Sequence, residues 1–362
     1  MKLKTLTTQN FRNLVPATLD LHPATNLLVG RNGQGKTNLL EAIYFLCTTK
    51  SFRTSRIASL FRFEEKNTFV AGALTRAGVT RTLSVGLESH EGSKRRALMI
   101  NEEKVTLPAY LHASSVFAYS AARLEILRGA PEEKRRFLDR GVASINAAYL
   151  EQLTRYMRVL KQRNALLHEI AARKDAPSSL DAWDAELVAA AAVVHAARAS
   201  YATALAEVFR EIVAAHGYHV NRVEMAYKPS LTVDLPRIRR EELRARMSLV
   251  GPQRDVLEFT IDGRPAAEVL SGGEGKMIVL FLKFAKLELY RRRHDEPPLF
   301  LLDDVDAELD LEILQNLLTK LPASTQLFAT SAKESFLEAL RTGAHRRLTV
   351  ENGRVTGARD FA

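Results

Sequence analysis

Hydrophobic residues recur at every second position in short stretches of the first 120 residues, which is the pattern of strands that bury one face. The stretches lie at residues 3–6, 19–21, 68–74, 82–87 and 97–100, and a continuous apolar run predicts a short buried strand at 26–29. Apolar residues from Leu39 to Leu46 recur at helical spacing, which predicts a helix over residues 38–47. This part of the chain is therefore expected to form a β-rich sheet around one helix.

From about residue 130 to residue 216 the periodicity becomes helical. Apolar residues from Leu150 to Leu167 follow a heptad seam, which contains Asn164 at its expected solvated edge. A second helical run extends from Trp183 to Ile212, and the linker at 174–179 contains helix breakers. The two runs should therefore fold back on each other as an antiparallel hairpin, an arm of roughly 40 Å at about 1.5 Å per residue.

Strand patterns return at residues 223–227 and 257–261. The second of these strands ends at Asp262-Gly263, a dipeptide typical of a tight hairpin turn. A long amphipathic helix is predicted over residues 275–293, and it is followed by an apolar strand over 299–302. The C-terminal third therefore returns to a mixed α/β pattern.

Composition narrows the class of protein. With 46% hydrophobic residues in a chain of 362, a core can be filled, and the formal net charge of +10 favours a polyanionic partner. The one cysteine, Cys47, excludes a disulfide framework and a four-thiolate zinc site, and it indicates a reducing compartment. The longest apolar run, residues 187–194, is far shorter than the roughly 18 to 20 residues that span a bilayer. We therefore expect a cytoplasmic protein without a secretory signal or a membrane partner.

The segment from Gly30 to Thr37, GRNGQGKT, has the spacing of a P-loop that follows a strand and opens a helix. Its glycines let backbone N–H groups turn inward as an anion nest at the helix N-terminus. Lys36 is expected to reach the β- and γ-phosphates, and the Thr37 hydroxyl to complete the shell of a Mg²⁺ ion. The residues predicted to bind ATP here are Gly30, Asn32, Gly33, Gln34, Gly35, Lys36, Thr37 and Asn38.

A P-loop site also needs an acidic residue at the end of a second strand. The apolar strand that ends in Asp303-Asp304 provides it. Asp303 is the predicted Mg²⁺ ligand, and Asp304 is predicted to be catalytic, together with Lys36, by orienting or deprotonating an attacking water. Without the P-loop, two adjacent carboxylates at a strand end would indicate only a solvated turn.

A second phosphate-binding motif, the signature segment at residues 270–274 (LSGGE), lies directly before the long C-terminal helix. Its serine hydroxyl and glycine N–H groups precede a helix N-terminus. Because one nucleotide already has its nest in the P-loop, Ser271, Gly272 and Gly273 are expected to close over the nucleotide of a partner subunit. That arrangement predicts an isologous dimer with two ATP molecules at its interface.

Together with further segments, these motifs resemble the RecF family of bacterial recombination and repair ATPases, which are ABC-type relatives of the structural-maintenance-of-chromosomes (SMC) proteins. The matching segments are residues 10–13 (NFRN), the P-loop continued as TNLLEAIYFL, 50–54 (KSFRT), 124–139 (LEILRGAPEEKRRFLD), 160–167 (LKQRNALL), 183–184 (WD), 251–255 (GPQRD) and 301–310 (LLDDVDAELD). Many proteins share the P-loop, whereas the combination of the middle segments is far more specific. The resemblance implies an α/β fold, an ABC-type P-loop ATPase head (residues 1–125 and 247–362) with an inserted short antiparallel helical arm (126–246).

The same resemblance implies an ATP-dependent DNA clamp that acts in recombinational repair, replication-gap repair and the SOS response. Such a protein dimerises with ATP and Mg²⁺ and binds DNA near single-strand/double-strand junctions. It hydrolyses ATP weakly, with stimulation by DNA, and works with RecR and RecO to load RecA. Ser271 would contact the γ-phosphate held by the partner, residues 307–310 would couple the two sites, and the protein would lie in the cytoplasm at the nucleoid.

The chain departs from the family pattern at several positions. Residues 271–274 (SGGE) replace a Ser-Gln-Gly-Gln type of signature, residues 121–123 (AAR) replace proline and acidic residues, and Gln253 replaces a common histidine. The histidine switch of many ABC ATPases has no counterpart after Phe328, where Thr330 or Ser331 is the candidate replacement. These changes affect the expected rate of hydrolysis and the partner contacts, but not the P-loop or the two aspartates.

Basic clusters at residues 94–96, 134–136, 237–240 and 291–293 are the candidates for DNA contact. Taken alone, each cluster is more typical of a solvent-exposed charged face than of a DNA-binding surface. A clamp nevertheless needs phosphate contacts without base readout, which lysine and arginine provide. DNA binding is therefore expected to depend weakly on sequence and steeply on salt.

Other classes of protein share parts of this pattern. A transporter nucleotide-binding subunit has the same P-loop, signature and aspartates, but it is compact and requires a membrane partner. This chain instead has a helical arm between Gly35 and Leu270. An SMC-like chromosome-associated ATPase requires a longer coiled coil. A P-loop kinase requires an acceptor pocket and a lid, which nothing in the sequence marks.

Overall fold

The computed structural model describes residues 1–54, 56–90, 93–120, 125–173, 177–216, 223–230, 234–305, 311–333 and 343–361. Its strands are β1 (Lys2–Leu3), β2 (Thr5–Gln9), β3 (Ala17–Asp20), β4 (Thr25–Val29), β5 (Asn67–Arg76), β6 (Val79–His90), β7 (Ser93–Ile100), β8 (Glu103–Lys104), β9 (Val116–Ser120), β10 (Val223–Lys228), β11 (Val256–Ile261), β12 (Arg264–Pro265), β13 (Leu299–Asp303), β14 (Leu327–Ser331), β15 (His345–Glu351) and β16 (Arg354–Phe361). Its α-helices are α1 (Lys36–Thr48), α2 (Leu107–His112), α3 (Glu125–Arg128), α4 (Pro131–Ile145), α5 (Tyr149–Arg173), α6 (Asp181–Ala215), α7 (Leu235–Ala245), α8 (Ala266–Val269), α9 (Gly272–Arg291) and α10 (Leu311–Thr319). Backbone contacts divide the chain into one unit of Met1–Arg123 with Gly272–Ala362 and another of Leu124–Ser271.

The first unit contains an antiparallel sheet and a mostly parallel sheet. The antiparallel sheet has the strand order β3-β2-β5-β6-β7-β8, and β1 pairs with β5. The second sheet has the order β16-β15-β4-β14-β13-β9, in which β16 runs antiparallel to β15 and the other neighbours run parallel. Because β4 and β13 both end at the same edge of the parallel sheet, the residues that follow these two strands are brought close together.

Helix α1 packs against both sheets and supplies much of the core of the first unit. Leu40, Phe45 and Leu46 of this helix are fully buried. On the other face of the parallel sheet, the ring of Phe284 in α9 lies edge-on to Phe300 in β13, with 5.2 Å between the ring centroids. The sheet is thus covered by α1 on one face and by α9 on the other.

The second unit is built on α5 and α6, which pack together as the predicted hairpin. Two buried arginines tie other elements to it, and burial of a charge is costly unless it is well paired. Arg163 in α5 donates to Asp184 in α6 at 2.7 Å and to Glu242 in α7 at 2.5 Å. Arg198 in α6 donates to Asp139 and to the buried Asp255 that precedes β11.

Helix α6 is long and apolar enough to cross a membrane, judged by length and composition within the described residues. Its best window has a mean hydropathy of 1.2. However, Asp184 and Arg198 of this helix form ion pairs with protein groups, and Leu187, Val194 and Leu205 are fully buried. We therefore assign α6 to the core of the second unit.

Most predicted elements are confirmed, with small shifts of their ends. The Asp262-Gly263 turn has φ values of 50° and 78°, both positive as a type I′ turn requires. Helix α9 begins at Gly272 rather than at residue 275, since the glycines of the signature segment enter its first turn. Asn164, expected at a solvated edge of the seam, is half-buried, and its Oδ1 accepts hydrogen bonds from the N–H and hydroxyl of Ser248, each at 2.8 Å.

The contact-based units end at other residues than the predicted domains. Residues 247–271 group with the helical unit, because β11 pairs with β10 and Asp255 is bound by Arg198. The boundaries at residues 126 and 246 stay a prediction. Residues 121–123, 174–176 and 307–310, which the sequence also singled out, lie outside the described residues.

Candidate nucleotide-binding site

The P-loop joins the end of β4 to the start of α1. Gly30, Gly33 and Gly35 have φ values of 148°, 80° and 110°, which disfavour any residue with a side chain. A Cβ at Gly30 would lie 2.3 Å from the carbonyl oxygen of Val350 in β15, whereas a Cβ at Gly33 would meet nothing within 4 Å. The loop therefore passes tightly over β15 and then opens at Gly33, where a phosphate has room to approach the backbone.

The turn between β15 and β16 is hydrogen-bonded to the P-loop and supports it. Gln34 accepts a hydrogen bond on Oε1 from the N–H of Asn352 at 2.6 Å, and its carbonyl accepts one from Gly353 at 2.8 Å. Gln34 therefore anchors the loop. Asn32, two residues earlier in the loop, is exposed. The sequence gives no local signal for this support, because the partners lie more than 300 residues apart.

Lys36 is almost fully buried under the loop. Its ammonium group donates to the carbonyl oxygens of Gly30 at 2.6 Å and Arg31 at 2.9 Å. A positive charge is thus held at the centre of the turn that the glycines form. This is the position from which an ammonium group can bind a phosphate.

Thr37 joins the P-loop to the end of β13. Its hydroxyl donates to Oδ1 of Asp303 at 2.8 Å. Asp303 also accepts hydrogen bonds from Thr330 at 2.9 Å and from Ser120 at 3.3 Å. Burial raises the pKa of Asp303, hydrogen bonds from Thr37 and Thr330 oppose that rise, and the charge of Asp304 adds to it. A cation bound beside Thr37 would therefore stabilise a carboxylate that burial otherwise disfavours.

Asp304 follows directly in a left-handed backbone conformation with φ 55°. Its N–H donates to the Thr330 hydroxyl at 2.9 Å, and the residue is exposed. Thr330, at the end of β14 and 1% exposed, therefore bridges the two aspartates through a single oxygen. The sequence indicated Thr330 only as a candidate replacement for a histidine switch.

A second polar cluster fixes the far side of α1. Glu41 is fully buried and accepts two hydrogen bonds from Arg12, at 2.8 and 2.6 Å, and a short one from Ser51. Arg53 lies 3.5 Å from Glu41 and also donates to Asn38 at 2.7 Å. The segments at residues 10–13 and 50–54 therefore hold the first turns of α1 and the predicted ligand Asn38 in place.

The signature residues lie at the start of α9. Ser271 is exposed directly before the helix, and Gly272 and Gly273 form its first turn. A Cβ at Gly272 would meet nothing within 4 Å. The structure thus gathers the P-loop, Thr37 and the two aspartates into one cluster, and it places Ser271, Gly272 and Gly273 at a helix N-terminus.

This cluster fits a nucleoside triphosphate with Mg²⁺. Among the described residues there is no group of three or more His, Cys, Asp or Glu side chains that can hold a metal ion. Thr37 and Asp303 would supply only part of an oxygen shell, which Mg²⁺ completes with phosphate oxygens and water in nucleotide sites. The site therefore suits a metal that arrives with its nucleotide.

The predicted basic clusters differ in how their charges are used. Arg136 pairs with Glu132 and Glu133. Arg291 and Arg292 both pair with Glu288. Clusters that look equivalent in sequence are thus partly neutralised by carboxylates one helical turn away, and they are weaker candidates for phosphate contact than their charge suggests.

Comparison with known sequences gives a consistent result. A family model described as the RecF/RecN/SMC N-terminal domain matches residues 2–355. The DNA replication and repair protein RecF of Geotalea daltonii is 32% identical over 371 residues, which cover 98% of this chain and all of that protein. The protein of the same name from Lactobacillus acidophilus is 36% identical over 349 residues, 91% of this chain and 92% of the relative.

Solved structures agree. The recombination mediator protein RecF with ATP, of the RecFOR pathway, superposes with a TM-score of 0.86 at 26% identity and covers 100% of this chain and 98% of its own. An Smc head bound to the C-winged helix domain of ScpA superposes with a TM-score of 0.57 at 16% identity, covering 100% of this chain and 98% of its own. This second likeness shows the shared head fold alone.

Proposed function

The chain belongs to the RecF family, and from this membership we propose that it is a DNA replication and repair protein that uses ATP to close two copies of itself around DNA. As a member of the family it is an ATP-binding, ABC-type ATPase. The observation that carries the assignment to this chain's own residues is the 2.8 Å hydrogen bond from Thr37 to Asp303. It unites the glycine-rich turn and the strand-end carboxylate in one site.

Each residue of the site has a distinct proposed role. Lys36 exchanges the carbonyl oxygens of Gly30 and Arg31 for phosphate oxygens, and the N–H groups of residues 30–38 surround the same phosphates. Thr37 and Asp303 hold Mg²⁺, which supplies positive charge against the phosphates when bound. Asp304, directed to solvent beside this cluster, orients the attacking water or accepts its proton.

The dimer is proposed from the signature segment. Ser271 and the N–H groups of Gly272 and Gly273 open a 20-residue helix, α9, so they favour an anion at its N-terminus. We infer that this anion is the γ-phosphate on the P-loop of a second copy, in a two-fold symmetric pair. Hydrolysis would remove that shared phosphate and release the pair.

DNA is the proposed partner of the closed pair, at junctions of single and double strands as well as on duplexes, and DNA is proposed to stimulate the weak hydrolysis. A net charge of +10 favours this polyanion. By similarity to the RecFOR pathway we also propose RecR as a direct partner and RecO and RecA as functional partners. The site of action would be the nucleoid.

Sedimentation of the full chain with and without ATP tests the proposal. Lys36→Ala should remain monomeric with ATP, because the phosphates lose their buried cation. Asp304→Asn should form a long-lived dimer with ATP, because binding is retained while hydrolysis slows. A monomer under every condition for Asp304→Asn would refute ATP-driven pairing.

A further inference from the structure

The exposed arginines of the second unit are not equivalent, because those of helix α7 differ in whether a carboxylate of the described residues pairs with them. In this helix Arg239 pairs with Asp181 and Asp184, both at 2.7 Å. Arg237, Arg240 and Arg244 are exposed, and no carboxylate of the described residues pairs with them. Three arginines that no described carboxylate neutralises thus lie beside Arg239, whose charge two aspartates neutralise.

Helical geometry places these three arginines on one side of α7. Positions 237, 240 and 244 are separated by three and four residues, so they follow one another on successive turns. Glu241 is also exposed on this side and leaves the stripe net cationic. The stripe is roughly 10 Å long at about 1.5 Å per residue.

The opposite side of α7 is held firmly by the unit. Leu235 and Glu242 are buried, and Glu242 accepts hydrogen bonds from Arg163 at 2.5 Å and from the N–H of Leu249 at 2.9 Å. Leu243 packs against the cluster of Leu167, Ile170 and Leu180. The exposed arginines therefore stand on a helix that is already ordered, so binding does not have to order it.

Two further arginines extend the cationic surface past the end of α7. Arg246 is exposed and ends the helix in a left-handed conformation with φ 55°. Arg254 is exposed, and its guanidinium lies 3.3 Å from the sulfur of Met247. The surface is thus basic both along α7 and beyond its C-terminal end.

We propose that Arg237, Arg240 and Arg244 form a phosphate-binding stripe for the backbone of duplex DNA. Each strand of a duplex carries a phosphate about every 3.4 Å along the axis, so a stripe roughly 10 Å long can reach more than one phosphate. Guanidinium groups bind phosphate oxygens in paired hydrogen bonds, and such phosphate contacts read no base. This inference rests on the proposed function, and it adds where the second unit meets DNA.

Fluorescence anisotropy of a labelled duplex with ATP present, repeated over a range of salt concentrations, tests the proposal. Arg237→Ala, Arg240→Ala and Arg244→Ala combined should weaken binding on the order of 100-fold at about 0.15 M salt and reduce the salt slope by ~2.7, since each contact contributes about 0.9. The corresponding triple lysine variant keeps the charges and should keep the slope.

The matched control removes three exposed but paired arginines by Arg136→Ala, Arg291→Ala and Arg292→Ala, which lowers the net charge equally. It should leave the slope nearly unchanged. If the wild type binds no DNA, the proposed function fails. If the wild type binds and the α7 variant keeps its slope, or the control loses as much as the α7 variant does, the stripe is overturned. Arg240→Ala alone, expected to lower the slope by ~0.9, decides the matter should the triple variant fold poorly.

Discussion

Thr330 offers the sharpest test of how the two aspartates are positioned. Its hydroxyl donates to Asp303 and accepts from the N–H of Asp304, both at 2.9 Å, in a residue that is 1% exposed. Thr330→Val keeps the shape of the side chain and removes both hydrogen bonds. The valine cannot hold the carboxylate that Thr37 also binds, nor the backbone that aims Asp304 at solvent.

The expected loss follows from those two bonds. A hydrogen bond to a charged group contributes about 1.5–3 kcal/mol, and an N–H left without its partner costs about 1–3 kcal/mol. Because the two effects share one oxygen and are not additive, we expect the free energy of unfolding to fall by roughly 2–4 kcal/mol. If about 1.4 kcal/mol of this loss is expressed in the transition state of hydrolysis, kcat falls roughly tenfold.

Phosphate release under saturating ATP gives kcat, and urea unfolding of the same samples gives stability. Thr330→Ser retains the hydroxyl and is the matched control, so it should recover most of both quantities. Wild-type kcat and stability in Thr330→Val would refute the bridging role. A defective serine variant beside a wild-type valine variant would assign the effect to packing of the methyl group instead.

Three further predictions concern separate parts of the molecule. Burial opposes ionisation of Asp255, but hydrogen bonds from His195 and Tyr227 outweigh it and hold its pKa below 3.8. Asp255→Asn should therefore lower the free energy of unfolding by about 3 kcal/mol at pH 7. In urea melts, this difference from wild type should shrink as the pH falls through the lowered pKa of Asp255. Burial raises the pKa of the Cys47 thiol to about 12, so a disulfide reagent at pH 8 should label it only as fast as the first unit unfolds, and rapid labelling of the folded chain would contradict its buried position. Gly30→Ala would place a Cβ 2.3 Å from the Val350 oxygen at a φ of 148°, so calorimetry should detect at least tenfold weaker ATP binding, whereas unchanged affinity would show that the loop has another route past β15.

The parts of the site that lie close together in sequence were predictable. The P-loop is defined by glycine spacing between a strand and a helix, and Asp303 by its position at the end of an apolar strand. Both signals are local, because the chemistry of an anion nest needs only consecutive backbone groups. The turn at Asp262-Gly263 was predictable for the same reason, since two residues of fixed conformational preference determine it.

Contacts between distant segments gave no such signal. Thr330 resembles any polar residue at the end of a strand, and Gln34 any polar loop residue, until β14 and β15 place their partners beside them. The basic clusters show the same limit, because Arg291 and Arg237 look alike in sequence, but among the described residues only Arg291 pairs with a carboxylate. The fold, and not the composition, therefore determines which basic side chains are neutralised by carboxylates.

The central claim is that a triphosphate is shared between the P-loop of one copy and the signature segment of another. ATP hydrolysis by an equimolar mixture of Lys36→Ala and Ser271→Arg chains tests it most directly, because only a mixed pair combines an intact P-loop with an intact signature. We predict that each variant alone is nearly inactive and that mixing restores hydrolysis at one site per pair. A mixture no more active than the sum of its separate components would contradict the sharing of ATP between subunits.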